Sequence, residues 1–150
     1  MSNILIIGNS PASVSAVEYI RQHNKEAAIT LMSPQQCMPY NRALLPSLIA
    51  KDIKESAVYV ANDKFFKDNQ VNFIHQEAIT RLSTKRHQIS TESKTHVLYD
   101  QLLLTDVSTV RLPAIKGHHR KGVFDVLRLP SVKEIIKFIP FMDTAVIPAG

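Results

Sequence analysis

Hydrophobic and polar positions change their period several times along this chain. Asn3–Ile7 is an apolar, β-branched run of the kind that forms a strand buried on both faces. Pro11 stands where a helix would begin, a place that tolerates its missing N–H. Beyond it, Ala12, Ala16, Val17 and Ile20 share one helical face, with Glu18, Arg21 and Gln22 off it, which predicts a helix over 12–23. Ala27–Met32 is a second apolar run, so residues 3–32 form a strand–helix–strand unit whose default connection is a right-handed parallel crossover. Pro34 and Pro39 break 33–40 into a loop. Residues 42–50 and 62–67 read as short helices, and Val71–His75 as a third strand.

From 77 to 99 the period becomes two. Ala78–Leu82, His87–Thr91 and His96–Tyr99 alternate apolar and polar residues, as half-buried antiparallel strands do. Leu102–Thr105 is another buried strand, and Pro113, Gly117 and Gly122 mark a loop before Val123–Val126. Val132, Ile135, Ile136 and Ile139 give helical spacing over 130–139, which Pro140 stops, and 144–150 reads as a fresh strand entering a turn. The architecture expected is α/β with an inserted antiparallel meander. No internal repeat, low-complexity tract or linker interrupts 1–139.

At 150 residues, 45% hydrophobic and 21% charged, the chain has an ordinary globular composition. It is long enough to bury roughly 70% of its unfolded surface. No apolar run approaches the roughly 20 residues that span a bilayer, and Met1–Gly8 lacks the basic lead and long apolar stretch expected of a secretory leader. No membrane association is therefore expected. A single cysteine, Cys37, excludes an intramolecular disulfide and fits a cytoplasmic location. The net charge of +5 invites a nucleic-acid reading, but no recognition module or aromatic stacking platform accompanies it. The basicity reads instead as solubility and attraction to anionic small molecules.

Chemistry concentrates in few places. In Gly8-Asn-Ser10-Pro11-Ala12-Ser13 a strand, a tight turn and a helix start make an anion site from backbone N–H groups and the helix dipole. A dinucleotide turn favours glycine at three places, and only Gly8 is present; Ser10 and Ser13 hold the other two. Arg42 opens a helix and suits a phosphate or a ring, while Thr105 and Asp106 end a buried strand where ligands of open α/β sheets lie. His118 and His119 are adjacent with no further ligand in register, so no metal site is expected. No residue reads as a catalytic acid, base or nucleophile.

Taken in order, these segments resemble the N-terminal FAD-binding part of the FAD-dependent pyridine nucleotide-disulfide oxidoreductase family. Within it they are similar to the rubredoxin reductase, ferredoxin reductase and NADH-dependent nitrite reductase branch, which carries no redox disulfide. Ile4–Ser13 stands where that family has Gly-x-Gly-Pro-Ala-Gly. Pro39-Tyr-Asn-Arg42 through Leu45 matches Pro-Tyr-x-Arg-x-x-Leu, and Glu77–Leu82, with Ala78 and Ile79, resembles the segment passing the adenine. Tyr99–Thr105 resembles Tyr-Asp-x-Leu-x-x-Ala-Thr-Gly, and Gly122–Arg128 the run after it.

The resemblance implies a Rossmann-like three-layer β/β/α FAD/NAD(P)-binding domain over 1–142, incomplete, with 143–150 the start of an NAD(P)-binding domain that this sequence does not contain. It implies FAD on Gly8, Ser10, Pro11, Ala12 and Ser13, with Ser33 and Pro34 at the ribose position, Arg42 near the flavin, and Ala78, Ile79, Thr105 and Asp106 lining the site. NAD(P)H would be engaged only through the absent domain. An electron-acceptor protein would be the partner of the full-length form, and the chain alone would be inactive and self-associating through Ala145–Ile147. The departures carry the alternative. Serines at 10 and 13, Ser33 in place of a ribose-binding acid, and Asp106 in place of a glycine also describe a degenerate, non-catalytic binding module that no longer takes FAD.

Overall fold

The computed structural model describes residues 2–105 and 115–147. In chain order its elements are β1 (Asn3–Ile7), α1 (Pro11–His23), β2 (Ala28–Met32), α2 (Leu45–Ile49), α3 (Asp63–Asp68), β3 (Val71–Ile74), β4 (Ile79–Ser83), β5 (Gln88–Thr91), β6 (His96–Leu98), β7 (Gln101–Leu104) and α4 (Leu129–Phe138). They fall into two compact units, the first drawn from 1–41 and 59–108, the second from 42–58 and 109–150.

The first unit contains a four-stranded sheet in the order β3-β2-β1-β7, every neighbouring pair parallel. β4, β5 and β6 form a separate antiparallel sheet, the expected meander. Strand alternation builds the layers. Ile4 and Ile6 point to one face, where they pack with Val14, Val17, Ala27, Ile29, Leu31 and Phe66. Leu5 points to the other, with Met32, Ile89 and Tyr99. Helices thus cover one face of the parallel sheet and the meander covers the other, giving the three-layer β/β/α arrangement. β1 is central, and burial on both faces is why it reads as a continuous apolar run.

One side chain ties the far edge together. The Arg21 guanidinium donates to the carbonyls of Asn69 (2.9 Å), Lys25 (2.7 Å) and Ala27 (3.0 Å), with longer bonds to Asn24 and Gln70. It therefore joins the end of α1, the approach to β2 and the turn before β3 through the fork geometry that lysine lacks.

In the second unit, a 3-10 turn over Arg42–Leu44 leads into α2, and Leu45 and Leu48 of α2 are buried, as are Leu129 and Val132 of α4, which packs against α2. The start of α4 is set by Asp125. Its carboxylate accepts from the Leu127 and Arg128 amides at 3.1 and 3.0 Å and from the Arg128 guanidinium at 2.8 and 2.5 Å, while its own N–H donates to Ser131 Oγ. Burial pushes this carboxyl up, but Arg128 and the two amides more than offset that and hold it below its usual range.

Two expectations differ from what forms. Leu103 and Leu104 are 39% and 46% exposed because β7 is the edge of the described sheet rather than an interior strand. Residues 144–147 form no strand, and Val146 and Ile147 are each 88% exposed. No helix among the described residues is long and apolar enough to cross a membrane.

Two measurements check this account. Arg21→Lys keeps the charge but loses most of the fork, and should lower unfolding stability by about 1–3 kcal/mol in urea titration; an unchanged midpoint contradicts the role given to it. Asp125 has a lowered native pKa, so its contribution is complete above the ordinary carboxylate range and is lost as pH falls through the lowered value. Asp125→Asn should cost about 1.5–3 kcal/mol at pH 7 and flatten the acid limb of the stability profile.

Candidate functional site

The topology marks the place. The chain runs outward from β1 to β2 and β3, then returns to lay β7 on the other side of β1, and ligands of open α/β sheets sit beyond the carboxyl ends of the strands at such a reversal. Here those ends are Ile7 of β1, Leu104 of β7 and Met32 of β2, which lie in register. The Gly8 N–H donates to Met32 O at 2.9 Å, and Thr105 donates to Ile7 O through both its amide (2.9 Å) and its hydroxyl (3.1 Å). The fork between β1 and β7 is closed by protein bonds, and the turn after Gly8 stands above it.

Gly8 has φ +153°, a region that favours glycine, so its place at the turn is a backbone requirement. Ser10 caps α1 with φ −134° and ψ 170°, an extended conformation open to any residue. Pro11 then enters the helix, as its fixed φ allows. Ser13 is fully buried, and its hydroxyl is consumed locally: Oγ accepts from Ser10 N–H at 3.2 Å and donates to Ser10 O at 2.7 Å. The Ser13 and Val14 amides also turn back to Ser10 O, at 3.1 and 3.3 Å. The Ala12 amide, one residue further in than Pro11, has no carbonyl to reach at the helix start. Ser13 acts instead as an internal cap, and no packing conflict arises at its position.

The remaining predicted residues divide clearly. Ser33 follows β2 and is 1% exposed; its Oγ accepts from Gln35 N–H at 3.0 Å, across Pro34. Ser33 O accepts from Glu77 N–H at 3.3 Å and Gln35 O from Gln76 N–H at 3.2 Å, so the loop after β2 is joined to the segment that carries Ala78 and Ile79. Ala78 O accepts from Glu92 N–H at 2.9 Å, and Ile79 opens β4 opposite Thr91. Glu77 is held below the usual carboxylate range by hydrogen bonds from the Ser93 and Thr91 hydroxyls and the Ser93 amide. Gly8–Ser13, Ser33, Pro34, Ala78, Ile79 and Thr105 thus belong to the first unit. Arg42 begins the 3-10 turn of the second, and Asp106 lies outside the described residues. Among the described residues no cluster of histidine, cysteine and carboxylate side chains could hold a metal ion.

Sequence reasoning missed Asn9. It is 2% exposed, its Nδ2 donates into the loop after β2, and its Oδ1 is buried with no partner; the neighbouring Ser10 Oγ is equally buried and unpaired. Buried polar atoms are nearly always satisfied, so two orphans at one turn need an explanation. The signal available was an asparagine between a glycine and an N-cap serine.

A parallel sheet ordered around a switch point, with a glycine turn and a helix N-terminus at that point, defines a Rossmann-like nucleotide-binding domain. The chain belongs to the pyridine nucleotide-disulphide oxidoreductase family, whose model matches residues 2–147. It is 28% identical over 131 residues to the NADH-dependent phenylglyoxylate dehydrogenase subunit epsilon of Aromatoleum evansii, covering 83% of this chain and 31% of that protein. To the rubredoxin-NAD(+) reductase of Ectopseudomonas oleovorans it is 22% identical over 148 residues, covering 98% and 38%. A ferredoxin reductase structure from Rhodopseudomonas palustris superposes with TM-score 0.85 at 18% identity, over 94% of this chain and 35% of that one. The chain spans about a third of the length of these relatives.

The internal cap is testable. Ser13→Ala removes both side-chain bonds and should cost about 1–2 kcal/mol, and Ser13→Gly about 1 kcal/mol more. Chemical denaturation reads both, and a glycine variant more stable than the parent would show that Ser13 strains the turn after all.

Proposed function

We propose that this chain is the FAD-holding part of an NAD(P)H-dependent flavoprotein that passes electrons from reduced nicotinamide through flavin to an acceptor protein. The observation that carries the reading is the turn after the central strand, where Gly8, at φ +153°, leads into the N-terminus of α1 at the switch point of the parallel sheet. The family membership and the reductases among its relatives support the same reading.

The residues present fit FAD. Gly8 leaves the turn without a side chain, and the Ala12 amide and the α1 dipole favour an anion. Thr105 keeps the β1–β7 fork closed beneath it. When bound, FAD would supply the redox chemistry; the protein's share is to bind and orient it. Arg42, by its charge and the Pro-Tyr-x-Arg match, is proposed to face the flavin or a phosphate, and Asp106 to line the same site. Nicotinamide and the acceptor would be engaged by parts of a longer protein.

A second reading, a non-catalytic binding module, is favoured by one observation. Ser33, at the ribose-acid position, is buried with its hydroxyl turned to the Gln35 amide. Titration with FAD separates the two. At a FAD concentration one hundred times its dissociation constant the chain should gain about 2.7 kcal/mol, a rise of roughly 5–10 °C in melting temperature, with flavin retained on gel filtration. No shift and no retained flavin would leave the module reading standing.

Self-association is part of the proposal. Phe141, Val146 and Ile147 are each more than four-fifths exposed in the second unit, large apolar side chains that invite a partner. Sedimentation velocity should show a concentration-dependent increase in mass, and a monomer at high concentration contradicts it.

A further inference from the structure

The edge of the parallel sheet opposite β7 carries a cavity that the turn after β1 does not use. β3 pairs with β2 alone among the described strands, and its side chains alternate between the two faces. Val71 and Phe73 fall on the helix face, His75 continues that alternation just past the strand, and Ile74 falls on the other face. α3 packs against this edge, and a cavity of about 290 Å3 opens there, with Asp63, Phe66 and Lys67 of α3, Met38, Phe73 and His75 in its lining.

Its apolar side is built from rings. Phe66 is buried and stacks on Phe73 with ring centres 4.4 Å apart and planes 14° apart; His75 stands 5.4 Å from Phe73 at 43°. Met38 adds a thioether, a group that favours contact with aromatic rings. The loop that carries Met38 is tied down, since the Cys37 and Met38 carbonyls accept from Asn9 Nδ2 at 3.0 and 3.4 Å. Aromatic pairs are worth more than their buried area alone, so three rings and a sulfur favour a further ring over an aliphatic chain.

The rim of the cavity carries both signs of charge. Asp63 and Lys67 lie four residues apart on α3, in the acid-before-base order that favours pairing. One position further along, Lys64 and Asp68 pair in the less favoured order. Asp63 and Lys67 nevertheless do not pair: among the described residues neither side chain has an ion-pair partner, and both are exposed beside the rings. A carboxylate and an ammonium held apart next to an aromatic wall match a ligand that carries a ring and both opposite charges.

We propose that this cavity binds a free aromatic α-amino acid, with its ring against Phe73, His75 and Met38, its carboxylate on Lys67 and its ammonium on Asp63. At about 290 Å3 the cavity lies at the lower end of small-molecule sites, which suits a single-ring ligand and is too small for a dinucleotide. The site stands at the sheet edge, with β2 between it and β1, and does not depend on what the turn after Gly8 takes.

Amide NMR spectra of the isotope-labelled chain locate and rank the ligands. L-phenylalanine should shift the amides of Lys67, Phe73 and His75 saturably, and L-leucine, which lacks the ring, should bind about 3- to 10-fold more weakly. Phenylpropanoate, without the ammonium, and phenylethylamine, without the carboxylate, should each bind about 2- to 5-fold more weakly, as fits charges at an exposed rim. Lys67→Met should abolish the advantage of L-phenylalanine over phenylethylamine, and Asp63→Asn its advantage over phenylpropanoate. Both substituted side chains are exposed, and unchanged shifts elsewhere in the spectrum confirm the fold. Absence of saturable shifts at these residues up to the solubility limit of L-phenylalanine overturns the proposal. So does equal binding of the four compounds, or advantages that survive both substitutions. Phenylpropanoate binding more tightly than L-phenylalanine assigns the cavity to a plain aromatic acid and overturns it too.

Discussion

Burial of β1 on both faces is the constraint on which the first unit depends. Leu5 and Ile6 are 1% and 0% exposed and belong to opposite cores, one shared with the meander and one with the helices. A strand packed this way cannot slip by one residue without exchanging its two cores, so its register against β2 and β7 is specified by side chains as well as by backbone bonds. Because β1 is fixed, its carboxyl end is fixed too, and the turn that starts at Gly8 inherits a position set by the packing beneath it.

The strand ends above that core present a backbone problem, since chain leaving a parallel sheet still carries donors and acceptors that need partners. Three of the solutions converge here. Gly8 donates to Met32, Thr105 donates twice to Ile7, and Asn9 reaches across to the carbonyls of Cys37 and Met38. Each bond joins the end of one strand to the end or following loop of its neighbour. The scaffold's own hydrogen bonding therefore ties the strand ends to one another, and among the described residues the buried side-chain atoms without a partner are Asn9 Oδ1 and Ser10 Oγ.

Much of this was legible along the chain, for reasons that differ by element. β1 and β2 were plain because double burial leaves an unbroken apolar run, α1 because Ala12, Ala16, Val17 and Ile20 fall on one face after Pro11, and β4–β6 because half-burial enforces a period of two; the buried Val14 of α1 was not read as part of that face. The edge status of β7 was not legible. Leu102–Leu104 looks like an interior strand, and only the sheet order exposes it. Residues 144–147 misled for a related reason, because a short apolar run has no period of its own to separate strand from coil. At the site, glycine spacing drew attention to positions 8, 10 and 13 and away from Asn9. The role of Asn9 depends on the 35–38 loop lying beside it, which no local pattern states. Arg42 matched a motif but folds into the second unit, so its relation to the turn is not written in the strand order of the first.

The serines that replace two glycines have opposite physical meanings. Ser13 spends its hydroxyl on Ser10, satisfying a donor and an acceptor at the helix start that a ligand or water would otherwise meet. That stabilises the turn in the absence of ligand and removes Ser10 N–H from the anion site. Ser10 differs: its extended backbone needs no glycine, and its Oγ lies buried at the start of the helix. Neither serine is asked for a conformation that only glycine adopts, since one caps the helix in an extended conformation and the other sits inside it with its hydroxyl satisfied. The backbone requirement of the turn therefore rests on Gly8, whose φ of +153° is the one value of the three that favours glycine.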